Sequence, residues 1–162
     1  MNIKILSHRE ALPEVKSHSK EYNVIFITSP DNPFYRPEMH DLVIHAKKAL
    51  VCMFQDNEFE SRDSGGPKKD HITAILEFAK DKDNFIVSCH AGVSRSSASA
   101  FVIACSREDP KEAVKVLDNR RHDPNGLIVK YGSELLNKPE MIDIIKQFKF
   151  DMMKEVYGGE LT

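Results

Sequence analysis

Cys89 and Arg95 stand either side of a five-residue turn in NFIVSCHAGVSRSSASAFVIAC, residues Asn84 to Cys105. An apolar run, Phe85 to Ser88, precedes the cysteine, and an amphipathic run follows the arginine. With the first as a strand and the second as a helix beginning near Ser94, Cys89 falls at a strand's carboxyl end and residues 90–94 turn into a helix N-terminus. Unpaired amides and the positive end of the backbone dipole gather there, so the turn binds an oxyanion without side-chain charge. Arg95 adds a planar fork matched to two phosphate oxygens. The same field favours thiolate over thiol at Cys89, so a nucleophile and its anionic target share one cradle. Gly92 permits a backbone conformation or close approach denied to other residues. Ser94 and Ser96 place hydroxyls on both sides of Arg95, and the small residues Ser96 to Ala100 let the helix pack closely behind the loop.

Each of these residues also has a plainer reading. Cys89 could be a buried small hydrophobe, which is the reading given to Cys52 and Cys105; its loop argues otherwise. Arg95 could be a surface charge, but a helix N-terminus repels a cation unless an anion is present. His90 is expected at the rim. Tyr35, Arg36, Arg120 and Arg121 read as solvated residues.

The elements that must position this loop follow from hydrophobic patterning. Ile3–Leu6, Asn23–Thr28, Ala49–Phe54 and Phe85–Ser88 have strand length, and their near-continuous apolarity suits a sheet covered on both faces. Helical spacing lies mostly in the second half. Asp70 is read as the cap of a helix carrying Ile72, Ile75, Leu76 and Ala79, and Ala98, Phe101, Val102 and Cys105 repeat that spacing. Asp109-Pro110-Lys111-Glu112 reads as a cap, a first-turn proline and a box-closing glutamate. Leu127–Leu136 and a helix opened by Pro139 follow, the latter with Met141, Ile144, Ile145, Phe148 and Met152 on one face; residues 155–162 are expected to fray. Ser29–Asp41, with three prolines, and Gln55–Asp70 read as long loops. The expected fold is α/β, a mostly parallel sheet of four to five strands flanked by helices, in one domain spanning residues 1–162.

Composition sets the limits. The chain has 162 residues, 23 Lys and Arg against 25 Asp and Glu, and a formal net charge of -2, so nothing global recruits nucleic acid or an anionic membrane. Three widely spaced cysteines and the lack of metal-ligand spacing argue against a disulfide scaffold, a zinc site or any metal or other cofactor. No apolar stretch reaches the roughly 20 residues of a membrane span, and a cytoplasmic protein with reduced thiols is expected.

Cys89-His90-Ala91-Gly92-Val93-Ser94-Arg95-Ser96 resembles the phosphate-binding loop of the protein tyrosine phosphatase superfamily, in its compact dual-specificity-like, small bacterial-type branch. The motif there is Cys, five residues, Arg, then Ser or Thr. As a looser pattern the likeness runs from the first strand to about residue 137, through Phe54-Gln55-Asp56, ILEFAK and DPNGLIVKYGSELL.

The resemblance implies that Cys89 attacks phosphorus in line to give a phosphocysteine that water hydrolyses. It implies that residues 90–94 and Arg95 hold the phosphate oxygens and that Ser96 stabilises the departing thiolate. A loop aspartate some thirty residues upstream would be the general acid. Asp56, 33 residues before Cys89, is the choice; Asp63 is the rival, and Glu58 comes third. Two departures stand out. Ser88 occupies the place where the family usually has a histidine, and the chain has no tryptophan for a Trp-Pro-Asp acid loop.

The implied activity is a metal-independent phosphomonoesterase acting on phosphotyrosine, and on phosphoserine or phosphothreonine as further candidates, in proteins. A phosphoinositide or RNA 5′-phosphatase is an alternative on the same loop, though His90, Ala91 and Val93 supply it no fixed cation. A rhodanese-like sulfurtransferase fits the spacing less well. From another class comes a pseudophosphatase that binds phosphorylated partners without turnover, motivated by Ser88.

Overall fold

The computed structural model describes residues 1–31, 36–60 and 65–158. Four strands, β1 (Asn2–Ser7), β2 (Asn23–Thr28), β3 (Lys48–Met53) and β4 (Asn84–Cys89), form one sheet, ordered β1-β4-β2-β3. Every pairing is parallel, with Ser7 opposite Cys89, Phe26 opposite Ser88 and Thr28 opposite Met53. Parallel neighbours require crossovers. Helices α1 (His8–Ser17), α2 (Arg36–His45) and α3 (Lys69–Ala79) supply them, and α4 (Arg95–Cys105), α5 (Pro110–Ala113), α6 (Gly126–Leu136) and α7 (Glu140–Tyr157) follow the last strand.

The two faces bury different partners. Ile25, Ile27, Phe85, Val87 and Cys89 meet Ile72 and Ile75 of α3, Phe101 of α4, Ile128 of α6 and Met141 of α7. On the other face Val24, Phe26 and Ile86 meet Ala11 and Val15 of α1 and Leu42 of α2. Phe26, Phe54, Phe85 and Phe101 are fully buried, each contributing about 1.5 to 3 kcal/mol of transfer free energy. This core holds the carboxyl ends of the strands in place. Phe54, Asp56, Ser29 and Cys89 all lie at or just past those ends, where ligands of open α/β sheets bind.

The expected strands appear within one residue at each end, and the sheet has four strands among the described residues. Helix expectations need five corrections. α1 was not anticipated: its buried face is only His8, Ala11 and Val15, and Pro13 interrupts the pattern, yet Ser7 and Glu10 close a capping box over its first turn. α2 begins inside the proline-rich stretch read as a loop; Pro37 sits in its first turn, where no intrahelical donor is lost. α3 starts at Lys69, so Asp70 is a first-turn acid and not the cap; the Lys68 amide donates instead to His71 Nδ1 at 3.0 Å. Asp109 does cap α5, but Glu112 pairs with Lys115 at 2.6 Å instead of closing a box. Residues 155–157 are helical, ended by Gly158 in the left-handed region; 159–162 lie outside the described residues. Among the described residues no helix is long and apolar enough to cross a membrane.

Candidate active site

Cys89 ends β4 and is 2 % exposed. Its Sγ lies 3.1 Å from Ser96 Oγ and accepts the Ser96 amide at 3.4 Å. A hydroxyl and a first-turn N–H of α4 therefore converge on the sulfur. α4 is buried along its whole length, and its serines turn inward: Ser97 Oγ donates to the Val93 and Ser94 carbonyls and Ser99 Oγ to that of Arg95.

Gly92 has φ of +68°, and a Cβ on it would lie 2.5 Å from the Ser7 amide nitrogen and 2.7 Å from the Leu6 carbonyl carbon. The turn needs both the left-handed conformation and the missing side chain, because the loop rests directly on the backbone at the end of β1. His90 and Ala91 are exposed, Val93 and Ser94 half-buried.

Arg95 is 7 % exposed, and its Nη1 donates to the Phe54 carbonyl at 2.8 Å and to Ser29 Oγ at 3.2 Å. These bonds tie the guanidinium to the ends of β3 and β2. Its Nε and Nη2, one edge of the fork, donate to nothing among the described residues, which leaves a bidentate pair of donors for an anion.

Asp56 follows β3 and reaches the same loop. Its Oδ1 accepts from Ser94 Oγ and from Asn125 Nδ2, both at 2.8 Å. Asn125 is fully buried; it also donates to the Asn57 carbonyl at 3.0 Å and caps α6 by accepting the Ile128 amide at 3.0 Å. Its own amide donates to the Ser94 carbonyl at 3.1 Å, and that of Asp123 to the Val93 carbonyl at 3.0 Å. Glu58 faces away, 3.7 Å from Lys149 on α7. Asp63 lies outside the described residues, as does Tyr35, while Arg120 pairs with Glu155 and Arg121 with Glu10.

Ser29, the Phe54 carbonyl and Asn125 are site residues the sequence did not single out. Asn125 did carry a signal: an asparagine just before an apolar helical run is a strong N-cap. The other two act across strands and leave no local trace.

Burial sets the titration of the surrounding groups. His8, 4 % exposed and stacked on Phe26, is pushed down to about 4, chiefly by burial and further by the charges of Arg95 and His90, although the Ile27 carbonyl opposes this. The Cys52 and Cys105 thiols are each pushed up to about 12 by burial, which keeps them inert near neutral pH. Ser88 is buried, and its Oγ has no hydrogen-bond partner among the described residues.

A parallel sheet with helices on both faces, its last strand joined by a short turn to a buried helix, is the fold of the protein tyrosine and dual-specificity phosphatases. It is seen in the structure of a mouse protein described as a dual specificity phosphatase, complexed with zinc tungstate. That structure is 15 % identical, covers 88 % of this chain and 86 % of its own, and has a TM-score of 0.56. Tk-PTP in its active form aligns at 17 % identity over 87 % of this chain and 90 % of that one, with a TM-score of 0.49. PTPMT1 in complex with PI(5)P aligns at 12 % identity over 83 % and 80 %, with a TM-score of 0.44. The fold assignment rests on the mouse structure. No protein-family profile and no curated protein sequence matches the chain.

Proposed function

We propose that the chain is a cysteine-dependent phosphomonoester hydrolase of the cytoplasm that acts on phosphotyrosine in proteins, with phosphoserine and phosphothreonine as further candidate substrates. The observation that carries this reading is the Cys89 sulfur held by Ser96 at the start of α4 while Arg95, anchored through Nη1, keeps Nε and Nη2 for an anion. The loop amides and this fork hold three phosphate oxygens, and the thiolate attacks phosphorus opposite the ester oxygen. As the S–P bond forms the P–O bond breaks, and Asp56 transfers its proton to the departing oxygen. A water then attacks the phosphocysteine and gives its proton to the Asp56 carboxylate. The S–P bond breaks, inorganic phosphate leaves, and Ser96 stabilises the regenerated thiolate. Positioning and charge stabilisation do most of this work.

Hydrolysis of an aryl phosphate by the wild type is expected to survive a chelator, to be inhibited by vanadate and to vanish in Cys89→Ser. Full activity in that variant would end the proposal. In Asp56→Asn, kcat should fall roughly a hundredfold while vanadate affinity is kept, and alkyl phosphates should suffer more than activated aryl ones because their leaving groups need the proton more. An unchanged rate there, with a loss in Asp63→Asn, moves the acid role to Asp63.

Ser88 favours one second reading, a phospho-binding protein without turnover, since the residue before the nucleophile is buried with an unpartnered hydroxyl. Phosphopeptide binding with no hydrolysis over a wide pH range selects it.

A further inference from the structure

A cleft of about 550 Å³ opens beside the phosphate loop, between the first turns of α1 and α2. Its boundary with the loop is His90, the residue after the nucleophile; α1 contributes His8, Arg9, Leu12 and Pro13, and α2 contributes Glu38. The volume lies in the range of sites that take a ligand, and the mixed lining of apolar side chains and a few charges is typical of them.

Two of its charges stand out. Their neighbours on α1 and α2 are paired, Glu14 with Lys4, Lys16 with Asp41 and Glu10 with Arg121. Arg9 is exposed and Glu38 half-buried, and among the described residues neither has an ion pair or a side-chain hydrogen bond. The two line one cleft without reaching the 4.0 Å of an ion pair. Glu38 is accounted for by the helix on which it sits, because an acid in a first turn is stabilised by the backbone dipole. Arg9 occupies the first turn of α1, where that dipole opposes a cation, so an anion from outside would meet an unpaired positive charge there.

We propose that this cleft receives the peptide segment flanking the phosphorylated residue, with Arg9 pairing an acidic side chain of the substrate. This rests on the reading of Cys89 to Ser96 as the site that holds the phosphate, since His90 belongs to both. A peptide matches the lining: its side chains cover Leu12 and Pro13 and its carboxylate meets Arg9. A headgroup carrying several phosphates would meet one fixed cation and the Glu38 carboxylate, and like charges in a cleft oppose binding.

The test reads binding, so that it stands apart from turnover. The Cys89→Ser chain is titrated at low ionic strength with phosphotyrosyl peptides that differ only in carrying Asp or Lys at the positions flanking phosphotyrosine. The acidic peptides should bind about fivefold more tightly, the size of a partly exposed ion pair, and Arg9→Glu on the same background should invert the order. The readout is the acidic-to-basic ratio, which cancels any general effect of the substitution on the loop. Equal affinities, no binding, or a preference indifferent to Arg9→Glu overturns the proposal. So does binding of phosphatidylinositol phosphate in phosphatidylcholine vesicles that is lost in Arg9→Glu while the peptide ratio stays put. A charge preference of the expected kind, in a chain whose wild type hydrolyses nothing, would sink the hydrolase reading and leave the cleft assignment standing.

Discussion

Asn125 Nδ2 lies 2.8 Å from Asp56 Oδ1, while the other end of the same amide caps α6 through the Ile128 amide at 3.0 Å. One buried side chain thus joins a helix start to the carboxylate beside the Cys89-to-Arg95 loop. The two roles separate by substitution. Asn125→Ala should lose the cap, at about 1 kcal/mol of stability, and should also lower kcat roughly tenfold by releasing Asp56. Asn125→Ser keeps a hydroxyl acceptor for the cap but has no amide donor for Asp56, so its melting temperature should fall less than that of Asn125→Ala while kcat falls as far. Equal kcat in wild type and Asn125→Ser would show that the bond does not position the acid.

Ser96 touches the sulfur through both Oγ and its amide, and only the hydroxyl is removable. A hydrogen bond to a charged group contributes about 1.5 to 3 kcal/mol, so Ser96→Ala should slow release of the thiolate roughly tenfold or more. Because the attack step keeps Arg95, rapid-mixing kinetics with an aryl phosphate should show a burst followed by slow turnover. A uniform slowing without a burst would remove Ser96 from the second step.

Gly92→Ala meets two penalties at once: a left-handed φ of +68° and a Cβ within 2.5 Å of backbone that belongs to a paired strand. The conformational term alone costs about 1 to 2 kcal/mol. Vanadate affinity should drop at least tenfold together with the melting temperature. Retention of both would mean that the loop does not rest on β1.

His8 predicts how stability responds to acid. Unfolded, it takes up a proton near the ordinary 6.5; folded, it stays neutral to about 4. Between those values the unfolded chain holds the extra proton, so stability present above pH 6.5 is lost as the pH falls toward 4, up to about 3 kcal/mol for this one residue. His71 and His122 are also lowered by burial and act in the same direction, so the comparison is made within a pair. Urea unfolding of wild type and His8→Gln across this range should show the shallower decline in the variant; parallel curves would refute the assignment.

The sequence by itself determined the parts of this protein whose physics is local. Four apolar runs of strand length, the Cys89-to-Arg95 turn and the capped helix at Asp109 depend on neighbours along the chain, so periodicity and turn chemistry reveal them. α1 and α2 stayed hidden because their prolines and thin apolar faces are tolerated only once the sheet covers them. The candidate acids followed the same rule. Sequence distance left Asp56, Glu58 and Asp63 as rivals, whereas the fold turns Glu58 to Lys149 and brings Asp56 to Ser94 and Asn125.

Only the tertiary structure decided how Arg95 is held. Its anchors, the Phe54 carbonyl and Ser29, come from the ends of two other strands, 41 and 66 residues away in the chain. The cleft beside His90 arises in the same way, from two helices that the strand order places side by side on one face. The Cys89-to-Arg95 loop is a property of one turn and the helix behind it, and so is written in consecutive residues. The orientation of its arginine, the carboxylate brought beside it and the shape of the surface next to it are set by the order and register of parallel strands, which no single stretch of chain contains.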